Sequence, residues 1–267
     1  MNRQGIYKVM VCTAALLLVA ACRPAGTKPD VTSEKPAADK SILVHCAGGM
    51  RLPIIQMAEL FEKETGCKVQ FNFNSSNRLL AQIKLTNKGD VYIAGDDEYL
   101  NMAAKDGLVS SRGKICVFIP VIMVQKGNPK HIRSIADMLR ADVKIGQGDP
   151  QTAIGRLMPI ILEKNGIDTA QWQASIRNES PTVNDLALSI KLKTLDAAIV
   201  WDAIAVNYRD DADVIPIEAA KNQISIVESA VLSCAANKMD AGKFIGFIAS
   251  EQGREICRQH GYTIEAL

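Results

Sequence analysis

The chain has 267 residues, enough for two modest α/β domains, and 48% of them are hydrophobic, as expected of a globular protein. Thirty-one lysines and arginines face 29 acids, a formal net charge of +2. There is no basic stripe with interleaved aromatics, which excludes a nucleic-acid partner, and no Walker loop or nucleophile–base motif.

Residues 1–21 read as a secretory signal. Arg3 and Lys8 precede an apolar run, Val9 to Ala21, that is short for a transmembrane helix and ends in small residues. The ending Val19-Ala20-Ala21-Cys22 resembles a bacterial lipobox. That resemblance implies a lipid on Cys22, which would hold the mature chain to a membrane face without spanning it. Loss of Arg3 and Lys8 would leave the mature chain near neutral. Residues 22–40 are rich in Pro, Ala, Thr, Lys and Asp and read as a flexible tether.

The globular part is expected to begin at Ser41. Ile42-Leu43-Val44 is a strand that leads through Gly48-Gly49 into a helix, with Arg51 at its mouth and Pro53 in its first turn. Two readings fit: an anion site built from free helix N–H groups, or a tight turn with a solvated arginine. Ile54, Ile55, Ala58 and Phe61 recur at helical spacing up to Gly66. Val69, Phe71 and Phe73 alternate as a strand, and Asn74-Ser75-Ser76-Asn77 opens a helix carrying Leu79, Leu80 and Ile83. Ser75 and Ser76 either cap that helix or face a ligand. Asp90 to Ala94 is a third strand, and Asp96-Asp97-Glu98 an acidic helix start.

A long apolar run, Cys116 to Val124, opens a second unit. Ile135 and Leu139 predict a helix, Val143 to Ile145 a strand, and Gly146 to Pro150 a loop. A helix follows with Leu157, Met158 and Ile161, and Thr182-Val183-Asn184 opens another. Asp196 to Asp202 is a buried strand with polar ends. Ile224 to Ala235 is a further strand, and two helices, Asp240 to Ser250 and Glu251 to His260, close the chain. The strand–helix repeat argues for a parallel sheet whose ligand sits beyond the carboxyl ends of the strands. Cys46, Cys67, Cys116, Cys234 and Cys257 are expected mostly as buried thiols, with a Cys116–Cys234 bridge the alternative. They and the three histidines lack metal-type spacing, so no metal or cofactor is expected.

The segments FEKETGCKVQFNFNSSNRLLAQI, GDVYIAGDDEYLNMAAKDGLV, VQKGNP, IGQGDPQTAIGRLM and LDAAIVWDAIA follow one another as in the bacterial molybdate-binding proteins, which the chain resembles from about Ser41 onward. The resemblance implies an α/β, two-lobed type II periplasmic-binding-protein fold. Each lobe would be a mainly parallel sheet flanked by helices, with the ligand in the interlobe cleft. Lobe 1 would hold 41–120 plus 224–267, lobe 2 would hold 121–223, and the runs around Cys116–Val124 and Ile224–Ala235 would be the crossings. The family grips an oxyanion with serine hydroxyls, backbone N–H groups and a tyrosine. By position, Ser76 with Ser75 beside it matches one serine, Ala153 or Ile154 one backbone donor and Val183 another. Gly49 stands where the other serine would be, and Trp201 where the tyrosine would be. Arg51 and Asp202 are additions to that pattern. They are expected to pair across the cleft, or Arg51 to contact the anion; the alternative has Asp202 capping a turn and Arg51 in water. The implied role is capture of a small oxyanion, molybdate or tungstate foremost, for an ABC importer permease, by an extracytoplasmic, lipid-anchored monomer. Sulfate, phosphate or a carboxylate is the alternative ligand. An enzyme using Cys46 or Asp202 is a more distant one, since no histidine is placed to activate Cys46.

Overall fold

The structure, a computed structural model, describes residues 40–264. The signal and the lipid site at Cys22 lie outside the described residues. Two five-stranded sheets, each flanked by helices, make two lobes. In the first, β1 (Ser41–Ala47) lies parallel to β2 (Lys68–Asn74) and to β3 (Val91–Ala94). Helices α1 (Arg51–Thr65), α2 (Ser76–Thr86) and α3 (Asp97–Lys105) follow these three strands. α1 stops at Gly66, whose φ of 69° is the left-handed cap that glycine adopts without strain. Its buried face carries Phe61, whose ring meets Phe244 edge-on at 5.1 Å.

The sheets are mixed, and the strand–helix repeat accounts for only their parallel halves. β4 (Val109–Phe118) is the edge of the first sheet, and β10 (Ser225–Leu232) fills the gap between β4 and β3, antiparallel to both. The apolar run expected as one crossing segment is broken at Ile119. Phe118 ends a strand of the first sheet and Pro120 starts β5 (Pro120–Gln125) of the second. β5 is antiparallel to both β8 (Ala197–Trp201) and β9 (Ala212–Pro216). β6 (Ile145–Gly148) runs parallel to β8 and to β7 (Ile176–Ser180).

The second lobe departs most from expectation. Gly146, Gln147 and Gly148 are strand rather than loop. They pair with β7, and Gly146 has no room for a Cβ because Leu186 and Leu195 fill that space. The helix expected at Ile135 is one 3₁₀ turn, Ala136–Leu139. β7 and β9 are short edge strands with few buried residues and carry no alternation in the sequence. α4 (Ala153–Lys164), α5 (Thr169–Ser175), α6 (Val183–Lys191) and the short α7 (Asp202–Ala205) complete this lobe. α8 (Lys238–Ala249) and α9 (Glu251–Gln259) return to pack on α1.

Asp202 holds the crossing. Its N–H donates to the Ile119 carbonyl at 2.9 Å, and its Oδ1 accepts the Ile119 N–H at 3.2 Å. Both backbone groups of the residue between the two sheets are thereby satisfied, as burial requires. Asn222 Nδ2 donates to the Pro120 carbonyl at 2.8 Å and ties the return segment to the same place. All five described cysteines are free thiols; four are buried and Cys234 is half-buried.

The loop from β6 to α4 is tightly wound, with Thr152 N–H donating to the Asp149 carbonyl at 2.8 Å. A Cβ on Gly155 would overlap that carbonyl oxygen. Gly155→Ala should therefore destabilise the protein by about 1–3 kcal/mol in urea unfolding, although alanine favours helix elsewhere.

Candidate functional site

Four helix starts meet between the lobes around a cavity of about 40 Å³. A water needs roughly 10–15 Å³ by this measure, so the space suits a compact ion of a few heavy atoms. Gly48 and Gly49, in the 3₁₀ turn before α1, form one wall, and Ser75 and Ser76 at the start of α2 another. The second lobe contributes Thr152, Ala153 and Ile154 before and within α4, and Thr182 and Val183 at α6. The first N–H groups of a helix have no partner inside it, and they carry the positive end of its dipole.

The capping residues divide into two kinds. Thr152 Oγ1 accepts the Gly155 N–H, and Thr182 Oγ1 accepts the Asp185 N–H, each at 3.2 Å. Those bonds serve the third helical residue and leave the N–H groups ahead of it for a ligand. Ser75 occupies the N-cap of α2 yet makes no cap hydrogen bond. Its Oγ is buried with no partner in the protein. The capping reading of Ser75 is thus excluded, and an unpaired buried hydroxyl lines the cavity. Ser76 Oγ accepts the Gly95 N–H at 2.9 Å, which leaves its own proton to donate. Tyr92 Oη, donating to the Ser76 carbonyl at 2.8 Å, fixes that turn from below.

The remaining wall is aromatic. Phe118 and Trp201 stack with centroids 4.8 Å apart. A Cβ on Gly49 would stand 3.0 Å from Phe118 Cζ and 3.4 Å from Trp201 Cδ1. The rings occupy the room that a serine at Gly49 would need, which explains physically why glycine stands there. Tyr262 donates its hydroxyl to the Gly49 carbonyl and turns that oxygen away from free service as an acceptor.

Gly49, Ser75, Ser76, Ala153, Val183 and Trp201 thus come together, and Arg51 and Asp202 do not join them. Arg51 is exposed, its guanidinium 4.7 Å over the Phe73 ring. Asp202 is spent on Ile119, and burial raises its carboxyl above the usual range, offset in part by backbone hydrogen bonds from Ala203 and Ile119. The expected Arg51–Asp202 pair is not formed, because each side chain has a structural partner elsewhere. Among the described residues, no charged side chain lines the cavity. Thr152, Phe118 and Gly95 line the cavity with no local sequence signal of it, and Thr182, legible as a helix start from the Thr182…Asp185 capping spacing, joins them. Cys46 is fully buried, its Sγ 3.4 Å from the Ala47 carbonyl, and burial pushes its thiol far up, so it is no nucleophile. His45 is structural: Asn72 Nδ2 meets its Nδ1 at 2.9 Å, and its Nε2 lies 3.0 Å from the Lys88 carbonyl.

The lobes are clasped over the cavity. Tyr99 donates its hydroxyl to the Gln151 carbonyl, and Arg156 lies 5.3 Å over the Tyr99 ring and 3.8 Å from Glu98. Asn184 Nδ2 donates to the Gly48 carbonyl at 3.2 Å. Both sets join α3 or the Gly48 turn of the first lobe to the second.

The match to known proteins agrees with this geometry. Residues 42–263 match the family described as bacterial extracellular solute-binding protein. The molybdate-binding protein ModA of Mycobacterium tuberculosis (strain ATCC 25618 / H37Rv) is 25% identical over 226 residues, 84% of this chain and 85% of that protein. Among solved structures, the periplasmic molybdate-binding protein of Azotobacter vinelandii superposes with a TM-score of 0.73 at 18% identity, covering 84% of this chain and 99% of that one. The sulfate-binding protein SubI from Mycobacterium tuberculosis H37Rv gives 0.72 at 16% identity, covering 84% and 86%.

Asp96, the N-cap of α3, sits behind Gly95. Oδ1 accepts the Tyr99 N–H at 2.9 Å while Oδ2 is buried without a partner. Burial raises its carboxyl from 3.8 to about 6. A carboxyl raised on folding contributes its full stability below its unfolded value and loses it as pH climbs through its folded value. Stability should fall from about pH 4 to about pH 6 by on the order of 3 kcal/mol on this account. Asp96→Asn keeps the cap, so its stability relative to wild type should rise over that same window in urea titrations.

Proposed function

The chain belongs to the family of bacterial extracellular solute-binding proteins, and from that premise we propose that it captures a small, fully ionised oxyanion, molybdate or tungstate foremost, for an ABC importer. One observation carries the reading: the cavity offers unpaired N–H and O–H donors, including the buried Ser75 hydroxyl, and no charged side chain. Aligned neutral dipoles hold an anion that has shed its water, and a lining with no carboxylate among the described residues spares it like-charge repulsion. The lobes, 41–120 with 224–267 and 121–223, close on the ion, and the Tyr99–Arg156 and Asn184–Gly48 contacts favour the closed state. A permease then reads that state. On this reading the protein is a monomer, exported by residues 1–21 and anchored by a lipid on Cys22.

The Phe118–Trp201 wall favours a second reading. A small carboxylate could direct its oxygens at the helix starts and rest an apolar face on the rings.

Calorimetry with molybdate, tungstate, sulfate, phosphate and acetate separates these ligands. Ser75→Ala should weaken binding of the preferred anion about tenfold, roughly 1.4 kcal/mol, and leave unfolding unchanged. A loss of stability without a loss of affinity would make the hydroxyl structural. For the anchor, wild-type protein should partition into detergent and Cys22→Ser should not; a freely soluble wild-type chain with an unmodified N-terminus disposes of the lipid.

A further inference from the structure

A second, larger space of about 460 Å³ abuts the cavity and shares Gly48 and Gly49 with it. Arg51 and Tyr262 line it from the first lobe, and Asn184, Asn207 and Tyr208 from the second. We infer that this groove is an outer station for the anion, where Arg51 draws the ion in before it passes to the inner cavity. The inference rests on the anion reading of that cavity.

Three observations converge. Among the described residues no cationic side chain lines the inner cavity, so its short-range donors cannot attract an ion from a distance; a full charge is needed nearby. Arg51 is the charged residue among those lining the groove. Its guanidinium lies over the Phe73 ring at 4.7 Å, a contact that leaves its N–H donors to an oxyanion. Among the described residues, no carboxylate lines either space. The acids around Tyr208 are engaged: Asp211 with Lys191 at 2.8 Å, and Asp185 with the Thr182 hydroxyl at 2.7 Å.

The partition between the spaces is the third. Asn184 Nδ2 donates to the Gly48 carbonyl at 3.2 Å and would lie 3.6 Å from a Cβ at Gly48. One partner belongs to each lobe, so parting the lobes breaks the bond and joins groove to cavity. Closing restores it behind the ion. Arg51 then acts on arrival and Asn184 on departure.

Association kinetics test this on the full mature chain with molybdate as probe. The protein has two tryptophans. Trp201 lines the cavity, whereas Trp172 is buried elsewhere, its Nε1 donating to Gln147 at 2.7 Å, so stopped-flow fluorescence reports the inner site. Arg51→Gln should slow association about fivefold or more at low salt, with a dissociation rate within about twofold of wild type. The gap should close near 0.5 M salt, roughly, as screening removes the attraction. Arg51→Lys should associate like wild type. Asn184→Ala should speed dissociation instead. Wild-type-like association of Arg51→Gln, a loss confined to its dissociation rate, or a wild-type association rate indifferent to salt each overturns the outer station; the last needs no variant. Failure of the inner cavity is distinct: calorimetry of the wild type would then be silent for every anion.

Discussion

A buried donor without an acceptor is costly, on the order of 1–3 kcal/mol, and this protein gathers several at one point. Ser75 brings a hydroxyl with no partner, and α2, α4 and α6 bring backbone N–H groups that no helix can satisfy internally. Everything else around the cavity holds these groups in place. Tyr92 and Gly95 fix Ser76 in position; Thr152 and Thr182 close the third N–H of their helices and leave the first ones open. The arrangement is incomplete as protein alone. On the proposed reading an anion's oxygens complete it, which ties affinity to the energy of satisfying those donors.

The separation of charge from contact follows. Desolvating an ion beside a buried carboxylate would raise its energy, and Asp202 is kept from doing so by its bonds to Ile119. Arg51 stays at the surface, where its charge reaches outward through solvent. Neutral dipoles line the cavity, and the crossing between sheets takes up the carboxylate at the end of β8.

Much of this was legible in the sequence, unevenly. The first lobe reads well because its strands and helices alternate with strong periods, and Gly66 and Asp96 mark a helix end and a helix start. The second reads poorly where edges matter. β7 and β9 bury too few residues to show alternation, and the glycines of β6 mimic a loop although Leu186 and Leu195 leave room for nothing larger at Gly146. The antiparallel halves were invisible, since pairing partners lie up to a hundred or more residues apart, as Val231 and Ser111 do. The serine loop and helix starts of the site were legible from local chemistry. The Arg51–Asp202 pair that opposite charges near a cleft suggest is not formed, because their partners, Phe73 and Ile119, are set by packing.

The strand order carries a consequence for how the chain is made. In the first sheet, β10 sits between β3 and β4 and pairs with both. β3 is buried along its whole length, Val91 to Ala94, and it emerges from the ribosome well over a hundred residues before its neighbour. Until then its edge is open to any passing strand. The first lobe therefore cannot mature as a domain in order of synthesis; its sheet waits for β10. Such a chain stays uncommitted while it is being built, the state in which a polypeptide can still be threaded through a narrow channel.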